Sequence, residues 1–174
     1  MGPKTKKNLE EAFAGESAAR NKYTYYSSVA RKAGFVQIAN IFEETAGNEK
    51  EHAKLWAKAL GMINDLPQNL KDAIAGELYE TNDMYPRMAK EAMEEGEEEI
   101  AKMFTEVGEV EEKHAMRYKK LLENLEKGEV FKRPEVKSWK CNNCGYIHEG
   151  DEAPEKCPAC SHPQGYFEIF IETY

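Results

Sequence analysis

Apolar side chains recur at intervals of three and four residues from Leu9 to Leu125, the spacing that places them on one face of an α-helix. Four such stripes follow one another. Gly34 and Gly96 mark turns inside two helical pairs, while Gly61 and Pro67 separate the pairs. Pro86 lies within the third stripe, where it should kink the helix or interrupt one of its hydrogen bonds. The pattern predicts an all-α four-helix bundle.

The four stripes form an internal repeat. Residues 8–16 recur 61 positions later as residues 69–77, with six of nine residues identical. Residues 34–53 are answered by residues 96–115 at an offset of 62. The bundle is therefore predicted to be a duplicated helix pair. The chain between the second and third helices is long enough, if extended, to run along the bundle, so the direction of the third helix stays open.

Seven acidic or histidine residues fall on the apolar stripes. An unpaired buried carboxylate loses several kcal/mol of hydration, so five inward glutamates need compensation. Two iron ions would bring about +4 to +6 of charge against five carboxylates, and one Glu from each of two helices with Glu-x-x-His from each of two others is a known di-iron arrangement. The predicted ligands are Glu16, Glu49, His52, Glu77, Glu80, Glu111 and His114.

The sequence evidence for a role at the metal site differs among these positions. A single Glu-x-x-His is usually a solvated pair, and it is the duplication that favours metal binding here. Glu80 stands one turn from Glu77, so geometry allows it as a ligand, although the fold needs only Glu77 from that helix. Tyr23 and Tyr85 either hydrogen-bond the ligating carboxylates or pack in the core, and both interpretations stay open.

All four cysteines lie close to the C-terminus, in two pairs of the same spacing, Cys141-x-x-Cys144 and Cys157-x-x-Cys160. In a reducing compartment such pairs are more often metal ligands than disulfides. Four sulfur ligands fit zinc, as a structural site, or one iron, as a one-electron carrier, and spacing alone does not separate the two. Fusion to a redox-capable bundle favours iron, because the bundle needs an electron source.

Composition narrows the class of protein. The 174-residue chain carries a formal net charge of −8 and no basic patch of the kind that binds nucleic acid. No apolar run approaches the ~18 to 20 residues of a membrane span, and none follows the N-terminal lysines as in a secretory signal. We expect a cytoplasmic protein without nucleic-acid or membrane partners. The predicted domains are a helical bundle at 1–130, a linker at 131–137 and a cysteine domain at 138–174.

Taken together, these motifs resemble the rubrerythrin family over nearly the whole chain. The presence of Glu80 makes the chain resemble rubrerythrins rather than ferritins. In rubrerythrins this glutamate and the histidine matching His52 are alternative ligands of one iron in its two redox states. Tyr23 and Tyr85 match family positions near the di-iron site. The chain departs from the family at Ser161, where glycine is common; a reshaped turn there would alter the N–H to sulfur hydrogen bonds that tune the iron.

The resemblance implies a peroxidase, with a di-iron bundle that reduces hydrogen peroxide to water and a rubredoxin-like β domain whose single iron supplies electrons, usually from the other subunit. It further implies rubredoxin and NAD(P)H-dependent rubredoxin reductase as donors, a long crossover between the second and third helices, and a head-to-tail homodimer. The alternative is ferritin-like oxidation of iron for storage, which the fused cysteine domain and Glu80 disfavour because storage needs no electron input. A third interpretation, a non-enzymatic scaffold with zinc in both sites, does not explain why the glutamates point inward.

Overall fold

The computed structural model describes residues 1–174. The chain forms two compact units, Met1–Asp65 and Leu66–Tyr174. It is mostly helical and ends in a small antiparallel sheet, which confirms the predicted fold class. None of its helices combines the length and the apolarity that a membrane span requires.

The first unit is a helical hairpin. Helix α1 runs over Pro3–Lys32 and helix α2 over Val36–Ala59. Gly34, at a φ of 86°, lies in the turn between them, where a left-handed conformation costs glycine little. Small side chains fill the contact between the helices and so allow a close approach. The buried residues are Ser27, Ala39, Ala46, Ala53 and Ala57.

The second unit begins with a helical pair of the same kind. Its first arm consists of helix α3 (Leu66–Tyr79), a π-helical segment (Glu80–Met84) and helix α4 (Tyr85–Glu94). Its second arm is helix α5 (Glu98–Glu126). Both helical parts of the first arm pack on α5.

The π-helical segment corresponds to one extra residue in the repeat. The offset between the halves is 61 at Glu16 and Glu77 but 62 at Tyr23 and Tyr85. A single residue added to an α-helix is accommodated by a local turn of i to i+5 hydrogen bonds, and the backbone N–H of Tyr85 does bond to the carbonyl of Glu80. Pro86 follows directly, in the first turn of α4, where its missing N–H does least harm. The third helix is therefore interrupted, but ahead of Pro86 and at the extra residue rather than at the proline itself.

The cysteine domain is a three-stranded antiparallel sheet of order β2-β1-β3. Strand β1 spans Lys132–Cys141, β2 spans Ile147–Glu152 and β3 spans Phe167–Ile169. Its core is compact and mostly apolar, and the indole N–H of the buried tryptophan donates to the carbonyl of Gly150 at 3.0 Å. The buried core residues are Trp139, Cys141, Ala153, Cys157 and Phe167.

The segment predicted as a linker, residues 131–137, lies for the most part in β1. Its side chains are mainly charged and mostly exposed, so no alternation of apolar residues indicates a strand. The strand forms through backbone pairing with β2, in which Lys132 faces Glu152 and Lys137 faces Gly150 with a register shift between them. An ion pair of 3.2 Å joins Lys132 and Glu152.

Candidate metal centres

The first unit brings together three of the predicted ligands. Glu16 comes from α1, and Glu49 and His52 come from α2, where the i, i+3 spacing places them on one face. Their ligand atoms all lie within 4.8 Å of one another. Nδ1 of His52 is 2.7 Å from Oε2 of Glu49 and 3.7 Å from Oε1 of Glu16. We call these residues the first triad.

The second unit builds a second triad in the same way. Glu77 comes from α3, and Glu111 and His114 come from α5. Nδ1 of His114 is 2.6 Å from Oε2 of Glu111 and 3.6 Å from Oε2 of Glu77. Both distances are nearly the same as their counterparts in the first triad. The duplication visible in the sequence is therefore also a duplication of side-chain geometry.

Within each triad, the neighbouring carboxyl group helps to raise the pKa of one glutamate. A hydrogen bond to Glu49 raises the pKa of Glu16, burial and the charge of Glu49 act in the same direction, and His52 opposes them. Burial raises the pKa of Glu77, followed by a hydrogen bond to Glu111 and the charge of that carboxylate. Two carboxyl groups and an imidazole nitrogen are oxygen and nitrogen donors, a set that suits iron. A bound cation would offset the repulsion between the two carboxylates.

Glu80 and Tyr85 lie beside the second triad without belonging to it. Glu80 starts the π-helical segment, and its charge adds to the raised pKa of Glu77. The pKa of Tyr85 is raised by burial and then by the charges of Glu80, Glu111 and Glu77. Its ring packs against Phe104 at a centroid distance of 6.1 Å.

Tyr23 occupies the matching place in the first unit. Its ring centroid lies 6.1 Å from that of Phe42 and 6.2 Å from that of Tyr26. Tyr85 and Tyr23 thus pack on equivalent phenylalanines of the two halves. The structure shows these ring contacts, and a hydrogen bond from either tyrosine to a ligating carboxylate stays a prediction.

The four cysteines form a site already shaped for a metal ion. Sγ of Cys141 lies 3.7 Å from Sγ of Cys160, and Sγ of Cys144 lies 3.6 Å from Sγ of Cys157. A tetrahedron with metal–sulfur bonds of about 2.3 Å has edges of about 3.8 Å, so these separations fit four-sulfur ligation. All four residues are free thiols.

Backbone hydrogen bonds set the protonation of these thiols. The backbone N–H of His162 lowers the pKa of Cys160 to about 6, so this residue is a thiolate at neutral pH. The backbone N–H of Tyr146 also lowers the pKa of Cys144, but hydrogen bonding to Cys160, burial and the other two thiols outweigh it and raise the pKa to about 12. Cys144 therefore keeps its proton until a metal displaces it.

Ser161 retains the turn that glycine makes elsewhere in the family. Its φ is 64°, close to the 79° of Gly145 at the equivalent position after Cys144. A left-handed conformation costs a serine about 1 kcal/mol relative to glycine. The turn is not reshaped, and the backbone N–H of His162 acts on the sulfur of Cys160.

Sequence reasoning missed two features around the cysteines. The side-chain amide of Asn143 bonds to Cys160 and helps to lower its pKa. The rings of His162 and Tyr166 pack edge to face at 4.4 Å. The signal for Asn143 was its place between the first two cysteines, which directs a side chain toward the sulfur cluster.

The fold and these two kinds of site define a ferritin-like di-iron carboxylate protein with an attached rubredoxin-like domain. The family model for rubrerythrin matches residues 7–122, and the model for the rubrerythrin rubredoxin-like domain matches residues 139–168. The chain belongs to the rubrerythrin family, as its motifs indicated. Iron is accordingly the cofactor of both sites, as predicted, and the protein is an oxidoreductase.

Named relatives align over nearly their full length. The chain is 50% identical to "Rubrerythrin" of Clostridium perfringens, over 99% of this chain and 97% of the relative. It is 47% identical to "Rubrerythrin" of Nitratidesulfovibrio vulgaris, over 97% and 95%. It is 43% identical to "Putative rubrerythrin" of Methanocaldococcus jannaschii, over 98% and 94%.

Proposed function

We propose that this protein is a cytoplasmic peroxidase that reduces hydrogen peroxide, with two electrons and two protons, to two molecules of water. One observation carries the proposal: a single chain holds two matched carboxylate–histidine triads and a preformed four-thiol site. The triads suit a centre that handles two electrons, and the thiols suit a one-electron relay. This combination fits turnover better than storage, which needs no electron input.

The residue assignment is part of the proposal. Each triad offers two carboxyl groups and one imidazole, and Glu80 adds a carboxylate beside the second triad. Iron held by these residues would supply the electron pair for cleavage of the O–O bond, and the four cysteines would hold the iron that returns electrons one at a time. The di-iron ligands are Glu16, Glu49, His52, Glu77, Glu80, Glu111 and His114; the single-iron ligands are Cys141, Cys144, Cys157 and Cys160.

The protein's own groups would position the substrate and hold protons. In each triad the pKa of one glutamate, Glu16 or Glu77, is raised, so metal binding there would compete with proton binding. The Tyr85 phenol, with its raised pKa, keeps its proton throughout the neutral range. It lies beside Glu80 and Glu111, so it is suited to hold a proton next to the reacting oxygen atoms.

The proposal includes the electron donors and the assembly that the family suggests. Rubredoxin, reduced by an NAD(P)H-dependent rubredoxin reductase, would deliver electrons to the four-cysteine iron. A head-to-tail homodimer would then place that iron near the di-iron centre of the other subunit.

Visible absorption of the purified protein tests the proposal. We expect a red thiolate-to-iron band that bleaches with dithionite and returns with one peroxide per two electrons. With reductase, rubredoxin and NADH present, peroxide should then be consumed over many turnovers.

A Cys144→Ser variant is the matched control, because it should lose the thiolate band and multiple turnover while the di-iron centre stays loaded. A protein that oxidises ferrous iron once, and that is not re-reduced through the cysteines, would instead act in iron storage. A colourless protein would mean zinc at the cysteines and would contradict the electron relay.

A further inference from the structure

The first unit exposes apolar side chains on the face of α2 that carries the first triad. Ile38 precedes Glu49 by eleven residues, and Ile41 precedes His52 by the same number, which is close to three helical turns. Both isoleucines are exposed, and half of the His52 side chain is exposed as well. This apolar face around the triad is a contact surface that residues 1–65 do not cover themselves.

The second unit repeats this arrangement on α5. Ile100 and Met103 precede Glu111 and His114 by eleven residues each and are likewise exposed. The side chain of His114 is 39% exposed, although the sequence places it on an inward stripe. The two apolar faces match in position, so each is suited to cover the other.

The helices of the two units also differ in charge. Residues 1–65 carry ten basic and eight acidic residues, a net charge of +2, whereas residues 66–126 carry eight and sixteen, a net charge of −8. Two second units would repel each other, while opposite net charges favour association of a first unit with a second unit. We therefore expect each apolar face to be covered by a unit of the other kind.

The connection between α2 and α3 decides which copy of the chain can supply that unit. Glu49 lies ten residues before the end of α2, and Glu77 lies eleven residues after the start of α3. In a ferritin-like bundle a long crossover joins the two pairs, so α2 and α3 run in the same direction. With the two triads at one height, the end of α2 and the start of α3 would be about 32 Å apart along the bundle.

The connection is too short for that distance. Only residues 60–65 lie between Ala59 and Leu66, and fully extended they span at most about 25 Å. The crossover that the family resemblance implies therefore cannot form within one chain. A bundle of ferritin-like topology closes only if its two helical pairs come from different copies.

We propose that two copies of this chain exchange their helical pairs, so that residues 1–65 of one copy pack on residues 66–126 of its partner. Each of the two di-iron centres then takes one triad from each copy, and neither copy completes a centre alone. Exchange of identical elements is a low-cost route to a dimer, because the contacts are those of the closed bundle. The inference rests on the proposed function only in assigning the seven carboxylate and histidine ligands to one di-iron centre.

Complementation between variants of different halves tests the exchange. His52→Ala removes a ligand of the first triad and His114→Ala one of the second, so each variant alone should hold no di-iron centre. In an exchanged heterodimer of the two, one centre contains both substitutions and the other contains neither. We therefore expect this heterodimer, purified through a different affinity tag on each chain, to hold about half of the di-iron content of the wild type.

A heterodimer of His52→Ala and Glu49→Ala is the matched control. Both substitutions lie in the first triad, so each centre keeps one of them whichever way the chains assemble, and the control should hold no di-iron centre. Without exchange, each centre of the His52→Ala and His114→Ala heterodimer would keep one substitution too. If the control is empty, an equally empty test heterodimer would overturn the proposal, as would a monomeric wild type.

A photo-cross-link tests the exchange in the metal-free, full-length protein. With Ile41→p-benzoylphenylalanine, irradiation should join position 41 to peptides of residues 66–126 in the band of dimer mass on a denaturing gel. Met103→p-benzoylphenylalanine is the second probe and should join position 103 to peptides of residues 1–65 in the same band. The same cross-links in the band of monomer mass would contradict the proposal. Neither measurement uses peroxide, so a failure of peroxide turnover leaves the result standing.

Discussion

The two helical pairs of this chain have nearly the same triad geometry but different surroundings. The histidine–carboxylate distances are 2.7 Å and 3.7 Å in the first triad and 2.6 Å and 3.6 Å in the second, and both tyrosine–phenylalanine ring pairs measure 6.1 Å. The surrounding charge is different. Residues 1–65 carry ten basic and eight acidic residues, a net charge of +2, whereas residues 66–126 carry eight and sixteen, a net charge of −8.

The second pair also contains the extra residue that produces the π-helical segment. Glu80 begins this segment, and the residue 61 positions earlier is Ala19. The comparison suggests that metal ligation holds the triads in common, while the second half carries an additional carboxylate beside its extra residue. The two halves should therefore be equally necessary for metal binding but should contribute differently to turnover and to stability.

Removal of one ligand from either half should have the largest effect. His114→Ala and Glu111→Ala, and equally His52→Ala in the first half, are expected to lose both irons of the di-iron centre, because one half supplies too few ligands. The four-cysteine iron should remain. Metal analysis per chain, with the thiolate-to-iron band as the internal control, measures this. Loss of all three irons together would contradict two independent sites.

Glu80→Gln tests whether the additional carboxylate of the second half is needed for turnover rather than for metal binding. Because the first triad has the same geometry with Ala19 in place of a fourth ligand, we expect the variant to keep two irons at its centre. Peroxide turnover should fall about tenfold or more, since the added carboxylate would act only during the redox cycle. Glu98→Gln, on an exposed residue of α5, is the matched control. Loss of iron from Glu80→Gln would mean that the second half needs four ligands merely to bind.

The sequence predicted the triads well, for a physical reason. Inward carboxylates at helical spacing are too costly without a cation, so their type and period carry the information that locates them. The turn at Gly34 allowed Glu16 and Glu49 to be placed at similar heights, and the structure brings them together. No comparable cost marks Tyr23 or Tyr85, whose rings satisfy packing and hydrogen bonding equally well.

Other features depended on information that periodicity does not contain. The π-helical segment has no apolar signature, and its only trace is the change of offset from 61 to 62 between Glu77 and Tyr85. Strand β1 was missed because its charged residues pair through their backbone. The unequal exposure of Cys144 and Cys160 could not be predicted, because the two cysteines have the same spacing from their partners in the sequence.

In the metal-free protein, neutralising a ligand should raise the Tm more when the ligand lies in the second, more acidic half than when it lies in the first. Because the folded pKa of Glu77 is raised above its ordinary value of 4.5, its proton stabilises the fold below about pH 4.5, and this contribution is lost as pH rises through the folded pKa. Glu77→Gln imitates the protonated carboxyl group. We expect the Tm of the metal-free variant to exceed that of the wild type by a few degrees at pH 7 and by less at pH 4.

Glu16→Gln is the comparison in the first half. The pKa of Glu16 is also raised, but no counterpart of Glu80 adds a charge there. The increase in Tm should therefore be smaller. Thermal unfolding of chelator-treated protein, followed by circular dichroism at both pH values, measures the two gains. A Tm that falls at pH 7 for Glu77→Gln would contradict the electrostatic cost.

The smallest effect concerns the other duplicated pair, the two cysteine knuckles, of which the first is Cys141–Tyr146 and the second Cys157–His162. Ser161→Gly should stabilise the iron-loaded cysteine domain by about 0.5 to 1 kcal/mol, because glycine adopts a positive φ with less strain. Gly145→Ala should destabilise it by about the same amount or more, since it adds that strain to the first knuckle. The guanidinium midpoint for loss of the thiolate-to-iron band reports both changes. If Ser161→Gly were neutral, contacts of the serine side chain would have to offset the strain of its positive φ.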